Sequence, residues 1–329
     1  MTVRVGVIGA GAMGAGHATT IATSVPGARV VAIHDPDPGR ATAVAGPLEA
    51  RTTPTAPDLI GADDVDAVIV ASPDFTHADL VLACLAAGKP VLCEKPLAET
   101  AADARKIVEA ELATGRRLVQ VGFMRRYDPG YVELKNVLAA GVPGEPLIVH
   151  NVHRNPVNHT SVSDAQIVIG SMIHELDVVP WLLDSEVTTI RIESPRASGL
   201  RDPQLAWLHL ASGAMATIEV FVNAGYGYDV RCEIVGSRGT ARLPARPGVV
   251  THTNGVAGTP VRGDFVAHFA DAYRAELTHW AAAVAAGTTD GPSAWDGYVA
   301  NAVAEAGVAS LAGGRTEPVA AGDRPGLYR

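Results

Sequence analysis

Cysteine is scarce. Three residues, Cys84, Cys93 and Cys232, are scattered over 329 positions, and no two stand at metal-ligand spacing. An odd, unclustered set does not build an oxidised secreted scaffold and suits a reducing compartment. Positive charge is also in short supply: Lys and Arg total 26 against 35 Asp and Glu, for a formal net charge of -9. That balance excludes the basic face that nonspecific nucleic-acid binding requires. The pattern lacks an uninterrupted apolar run approaching the ~18–20 residues of a membrane span. The opening residues, MTVRVGVIGAGAMG, enter a strand pattern without a basic region, a long apolar segment and a cleavage site. The expectation is a cytoplasmic protein with neither nucleic acid nor membrane as partner.

What remains is an ordinary globular balance, 47% hydrophobic and 19% charged. The length suits two domains, each able to bury its own core. β-Branched runs at 3–8, 28–33, 67–71, 90–93 and 117–121 alternate with helical patterns at 12–23, 77–87 and 100–114. Gly27, Gly88 and Gly115 follow those helices or turns as stops. Apolar strands separated by helices predict a doubly wound parallel sheet covered on both faces, over residues 1–122. From 123 to 329 the pattern changes: a helix near 131–139, a strand at 147–153, then the apolar segment 167–183. Consecutive strands fill 186–243, with a hairpin at Ser212-Gly213, a surface loop at 246–263, and helices at 265–285 and 293–311. This predicts a second, α+β domain with a largely antiparallel open sheet.

Gly9-Ala10-Gly11-Ala12-Met13-Gly14 follows the first strand and opens a helix, matching G-x-G-x-x-G. Such glycines allow a tight turn, close approach of backbone to a pyrophosphate, and close helix–strand packing. The helix N-terminus adds N–H groups and positive dipole. Asp35 ends the second strand, 21 residues past Gly14. A carboxylate there bonds the adenosine ribose hydroxyls and repels a 2′-phosphate, favouring NAD, although Arg40 stands near enough to soften that preference. Glu94-Lys95-Pro96 closes a later buried strand, where open parallel sheets bind ligands. Pro96 biases Lys95 towards an extended backbone.

GAGAMG, ASPDFTH, CEKPLAE and a later histidine-bearing helix together resemble the Gfo/Idh/MocA oxidoreductases, over nearly the whole chain. Within that family GFMRRYDPGY, VHRNP, IHELDVVPWLL and GPSAWDGY are similar to inositol 2-dehydrogenases, which oxidise myo-inositol to a 2-keto inosose with NAD. The resemblance implies a Rossmann domain with Gly9, Gly11, Ala12, Met13, Gly14 and Asp35 around the adenosine diphosphate of NAD. It also implies Ser72, Pro73, Asp74 and His77 beside the nicotinamide ribose, and Glu94-Lys95 as the catalytic lysine motif. Met124, Arg125, His153 and Asn155 fall in segments like the polyol pocket, and Tyr226 or Tyr228, two apart on one strand face, adds a hydroxyl.

The chemistry asks for such residues. Oxidising a secondary alcohol releases a weakly acidic hydroxyl proton, which a base titrating near neutrality removes efficiently. His174 fits that task, and the Lys95 ammonium fits stabilisation of the alkoxide. One departure stands beside them. The family pattern has an aspartate four residues before this histidine, and here that position is Gly170. Residues i and i+4 share a helix face, so the usual carboxylate would lie by the imidazole and substrate. Asp177 and Asp164 are the candidate substitutes. A sugar or amino-sugar dehydrogenase of the same family, and an NAD-binding sensor with weak turnover, are the competing readings. His150, His153 and His159 cluster, but the odd spacing puts His150 and His153 on opposite strand faces, and no metal is expected. An open sheet face to be covered predicts a homo-oligomer, dimer or homotetramer.

Overall fold

The computed structural model describes residues 2–157, 162–196, 199–244 and 249–329. It divides into two compact units, Met1–Tyr127 with Asp271–Ala302 and Ala321–Arg329, and Asp128–Ala270 with Val303–Ala320. A single cut near residue 122 does not draw this division, because two C-terminal segments pack with the first unit.

The first unit contains β1 (Val3–Ile8), α1 (Ala12–Ser24), β2 (Ala28–His34), α2 (Pro38–Ala45), β3 (Arg51–Thr52) and α3 (Ala56–Ile60). It continues through β4 (Ala67–Val70), α4 (His77–Ala86), β5 (Val91–Cys93), α5 (Ala101–Thr114) and β6 (Val119–Val121). The strands are all parallel, in the order β3-β2-β1-β4-β5-β6. The chain reverses direction of winding between β1 and β4, the crevice where such sheets take ligands. Val5, Val7, Ile33, Ile69 and Leu92 are buried against Ala18 and Ile21 of α1 and against Leu277 and Trp280. Continuous apolar strands therefore reflect cover on both faces. α2, β3 and α3 were not in the sequence expectation. They are short, and β3 has two exposed residues with no alternation to recognise. Their caps are orthodox: Asp37 accepts from Gly39 and Arg40 N–H, and Thr55 accepts from Asp58 N–H.

The segment GPSAWDGY is a structural return to this unit. Val121 N–H donates to Pro292 O at 2.8 Å, and Arg117 donates to Gly291 O at 2.6 Å. A Cβ on Gly291 would lie 2.3 Å from Gln120 Oε1 and from the Tyr127 hydroxyl, so glycine alone permits that approach. Asp296 is held by Ser293 N–H and Oγ, both at 2.7 Å, by Arg324 at 2.9 Å and by Arg126 at 3.5 Å.

The second unit begins with α6 (Pro129–Ala139), β7 (Pro146–Arg154), α7 (Asp164–Gln166), a π-helical turn (Ile167–Met172) and α8 (Ile173–Leu183). Then come β8 (Val187–Glu193), β9 (Gln204–Leu210), β10 (Met215–Phe221), β11 (Asp229–Gly236) and β12 (Gly239–Arg242). β13 (Thr251–Thr253), β14 (Val256–Gly258) and α9 (Phe265–His268) follow; α10 (Ala270–Ala285) and the start of α11 (Ala294–Gly313) then belong to the first unit, and the rest of α11 and β15 (Glu317–Pro318) to the second. The sheet runs β12-β11-β7-β10-β9-β8-β15, antiparallel except where β7 meets β10. β9 and β10 form the expected hairpin, with Gly213 at φ +91°. The expected loop at 246–263 instead contains the exposed β13–β14 hairpin, while residues 246–248 lie outside the described residues. The expected helix 265–285 breaks at Phe269.

Asp164–Leu183 is long and apolar enough, by length and composition alone, to cross a membrane, contrary to the sequence expectation. It is a core helix: 61% of its apolar window is buried, and His174, Glu175 and Asp177 lie inside the unit. Ser163 and Gln166 start it with a reciprocal capping box. At its end Asp184 turns left-handed, and Lys135 pairs with Asp184 at 2.5 Å and with Trp181 O at 2.7 Å. A Cβ on Gly307 of α11 would meet Ile192, Ile190 and Val168, so α11 closes directly over β8 and the π turn.

Candidate active site

At the end of β1 each glycine has a distinct reason. Gly9 has φ +94°, and a Cβ there would sit 2.5 Å from Ala71 O. A Cβ on Gly14 would fall 1.8 Å from Gly9 O, so this glycine lets α1 approach the turn. Gly11, the N-cap of α1, has no atom within 4 Å of the Cβ direction and no side-chain cap. Ala12 is exposed and Met13 half-buried beside it. Together these leave a backbone cradle with open helix N–H groups, the feature that fits a pyrophosphate. Asp35 is buried. Its Oδ2 accepts from Ala10 N–H at 2.8 Å and its Oδ1 from Asp37 N–H at 2.9 Å, with Arg40 at 3.5 Å.

β4 and β5 deliver the next residues to the same edge of the sheet. Ser72 is half-buried, Pro73 and Asp74 are exposed, and Ser72 Oγ lies 2.6 Å from Thr76 Oγ1. His77 is 1% exposed, with Nδ1 2.7 Å from Pro96 O and Nε2 2.9 Å from Ser72 O. Its nitrogens thus face backbone carbonyls. Glu94 is buried, and its Oε1 lies 2.7 Å from His17 Nε2. Burial pushes the Glu94 carboxyl up, but the His17 hydrogen bond and the nearby His17 and Lys95 charges outweigh it, and the carboxyl is held below its ordinary range. Lys95 is half-buried, and the Lys95–Pro96 peptide is cis. Met124 and Arg125 occupy a 3₁₀ turn and are each 1% exposed.

In the second unit, His174 is the second residue of α8, two positions past the π turn, and is 8% exposed. π turns recur at functional sites because they re-aim a helix face. Gly170 lies in that turn, and a Cβ added there would meet nothing within 4 Å. Edge-on to His174, with ring centroids 6.1 Å apart, lies His153. His153 Nδ1 is 3.2 Å from Glu175 Oε2, and its Nε2 is 3.3 Å from the Tyr228 hydroxyl. An ionised Glu175 requires Nδ1–H as donor, leaving Nε2 of the neutral ring to accept from Tyr228. Tyr228 packs edge-on against His268 and Phe269.

Tyr226 and Tyr228 do not share a strand face. β11 starts at Asp229, and Gly225 (φ +77°) and Gly227 (φ +139°) turn the backbone between and around the two tyrosines. Tyr228 is buried, whereas Tyr226 is 47% exposed and bonds Asp229 and Arg154. Asn155 follows β7, its N–H donating to Phe221 O at 2.9 Å. Asp164 accepts from Arg201 N–H at 2.8 Å. It stands ten residues before His174, about 15 Å along a helix axis, too far to replace a carboxylate at 170. Asp177 is buried on α8. His150 is exposed and bonds Thr217, on the opposite face of β7 from His153; His159 lies outside the described residues. Among the described residues no group of three or more His, Cys, Asp or Glu is arranged to hold a metal ion.

Two contributors were absent from the sequence expectation. His17 stands three residues after Gly14, the spacing that returns to the sheet-facing side of α1. Glu175 is fully buried beside an expected base, where a carboxylate needs a partner.

Residues 3–123 match the oxidoreductase family model for the NAD-binding Rossmann fold, and residues 144–320 match that family's C-terminal alpha/beta domain. Inositol 2-dehydrogenase 1 of Saccharopolyspora erythraea is 50% identical over 335 residues, covering 100% of this chain and 99% of the relative. Inositol 2-dehydrogenase of Paracoccus denitrificans is 48% identical, covering all of both chains. The crystal structure of myo-inositol dehydrogenase from Lactobacillus casei with NAD(H) and myo-inositol aligns over 100% of both chains, at 38% identity and a TM-score of 0.96. With both family models matched and full-length relatives near half identity, the chain belongs to the GFO/IDH/MocA oxidoreductase family.

Proposed function

We propose that this protein oxidises myo-inositol to 2-keto-myo-inositol with NAD, and that Lys95 and His174 carry the charge and the proton. The observation that carries the substrate is the full-length likeness to a myo-inositol dehydrogenase whose structure contains both NAD(H) and myo-inositol. NAD in the glycine cradle supplies the two-electron acceptor. The chain's residues do the rest. Gly9, Gly11, Ala12, Met13 and Gly14 receive the pyrophosphate, and Asp35 selects against a 2′-phosphate. Ser72, Pro73 and Asp74 border the nicotinamide end. His174 accepts the hydroxyl proton, while the Lys95 ammonium favours the alkoxide form. Met124, Arg125, His153, Asn155 and Tyr228 shape and bond the polyol. Tyr226, engaged on the surface with Asp229 and Arg154, is left out of that set.

The test is NADH formation over a panel of cyclitols and sugars, repeated with NADP. Myo-inositol with NAD is expected to give the highest kcat/KM. Faster turnover of a pyranose or amino sugar would reassign the substrate, and tight NAD binding without turnover of any polyol would make the chain a sensor.

Val152, Leu205, Trp207 and Phe221 stay half-exposed on the outer face of the second sheet. A second copy covering them gives a homodimer, and a pair of such dimers a homotetramer. Monomeric mass by light scattering would exclude both. Three buried cysteines without a disulfide suit the reducing cytoplasm.

A further inference from the structure

We infer that two buried histidines, His17 and His77, are positioning residues that grip the Lys95 turn from opposite sides. The inference rests on the dehydrogenase reading for its kinetic arm only.

On one side stands α1, the helix opened by the glycine cradle. Its His17, 2% exposed, places Nε2 2.7 Å from Glu94 Oε1. The other oxygen, Glu94 Oε2, accepts the N–H of Lys95 at 3.2 Å. Gly122 closes the far wall of this carboxylate: a Cβ there would lie 3.3 Å from Glu94 Cα and Oε2. On the other side stands α4. Its first residue, His77, faces Pro96 O at 2.7 Å and Ser72 O at 2.9 Å. A neutral imidazole donates to one of these carbonyls, and the protonated ring donates to both.

The peptide N–H of Lys95 and the carbonyl of the next residue are therefore each fixed through a histidine ring. The two rings belong to the helices that follow β1 and β4, which border the nucleotide crevice. An ammonium acts on a developing alkoxide only from the right place, and a misplacement of 1 Å can cost about 100-fold in rate. Neither ring needs to touch substrate or cofactor to exert this effect. Glu94, buried and ionised, also depends on His17 for a hydrogen-bond donor.

The test compares His17→Leu and His77→Leu with His17→Gln and His77→Asn, whose amides place an N–H donor near Nε2 and Nδ1 of the replaced rings. NADH affinity is read by fluorescence titration, and kcat and KM with myo-inositol. Trace acetylation of Lys95 by acetic anhydride, followed by peptide mass spectrometry, needs no turnover; Lys89, Lys106 and Lys135 serve as internal references. The leucine variants are expected to lose about 10–100-fold in kcat with KM and NADH affinity within about 3-fold. Lys95 acetylation is expected to change at least about 3-fold relative to the other lysines, with His17→Gln and His77→Asn recovering most of both effects. Folded leucine variants with unchanged kcat and unchanged Lys95 labelling would overturn the inference. So would kcat and NADH affinity falling in proportion, without selective change at Lys95. If leucine prevents folding, alanine, which reaches none of these partners, replaces it in both arms. A wild-type protein inert towards polyols would defeat the functional proposal, and Lys95 labelling would still decide this one.

Discussion

The Ala10 N–H donates to Oδ2 of Asp35 at 2.8 Å, so the acid at the end of β2 fastens the glycine turn at the end of β1. In the proposed function one carboxylate thereby has two tasks, holding the loop and discriminating between nucleotides. Asp35→Ala is expected to weaken NAD binding by about 10–100-fold, the worth of a charged hydrogen bond. It is not expected to yield an efficient NADP enzyme, because the loop loses its anchor with the repelling charge. NADH fluorescence titration and kinetics with both nucleotides check this. A variant that prefers NADP with undiminished affinity would contradict it.

Gly170 has open space on its Cβ side. Gly170→Asp is therefore expected to fold and to raise kcat/KM for myo-inositol by about 10-fold, because a carboxylate near His174 favours the imidazolium formed as the proton arrives. The same attraction should move the acid limb of the pH profile upward. Gly170→Ala separates charge from bulk: it should stabilise the fold by about 0.4–1 kcal/mol without that gain. Loss of activity in the aspartate variant would mean that substrate occupies the space.

Burial raises the Asp296 carboxyl, but Arg126, Arg324 and the Ser293 hydrogen bonds outweigh it and hold the carboxyl far below its ordinary range. A depressed folded-state pKa gives stability that is present above the unfolded value, near 4, and fades as pH falls towards the folded one. Asp296→Asn is expected to cost about 1.5–3 kcal/mol at pH 7, since the half-buried Arg126 and the more exposed Arg324 lose their carboxylate partner. The difference from wild type should shrink steadily below about pH 4. Urea denaturation at pH 7, 5 and 3 measures it, and a constant difference would remove the ion pairs as its cause.

Burial pushes the Cys84 thiol up to about 12. Cys93 is raised too, first by burial and then by the Glu94 charge, and Cys232 is buried. No thiol should react rapidly with a disulfide reagent in the native protein at pH 8, and three should react after denaturation. A fast native thiol would show that one of these sites opens.

Much of the first unit was legible because its signals are local. Turn glycines, an acid 21 residues on and apolar strands depend on nearest-neighbour geometry, and they appear where expected. GPSAWDGY and GFMRRYD were legible only as a resemblance. Their physical reason, Asp296 against Arg126 and Gly291 against Tyr127, joins residues far apart in the chain. The two tyrosines were misread because period-two alternation holds only inside a strand, and Gly225 and Gly227 take Tyr226 and Tyr228 out of one.

The sequence alone determined the parallel sheet, the nucleotide cradle and the lysine at a strand end, since each follows from residue type and short spacing; Gly170 stood out only against the family resemblance. Tertiary structure decided which polar groups meet. It paired His153 with Glu175 and Tyr228, His17 with Glu94, and His77 with two carbonyls. Buried polar atoms must find partners, and the partner is fixed by how strands and helices pack rather than by distance along the chain.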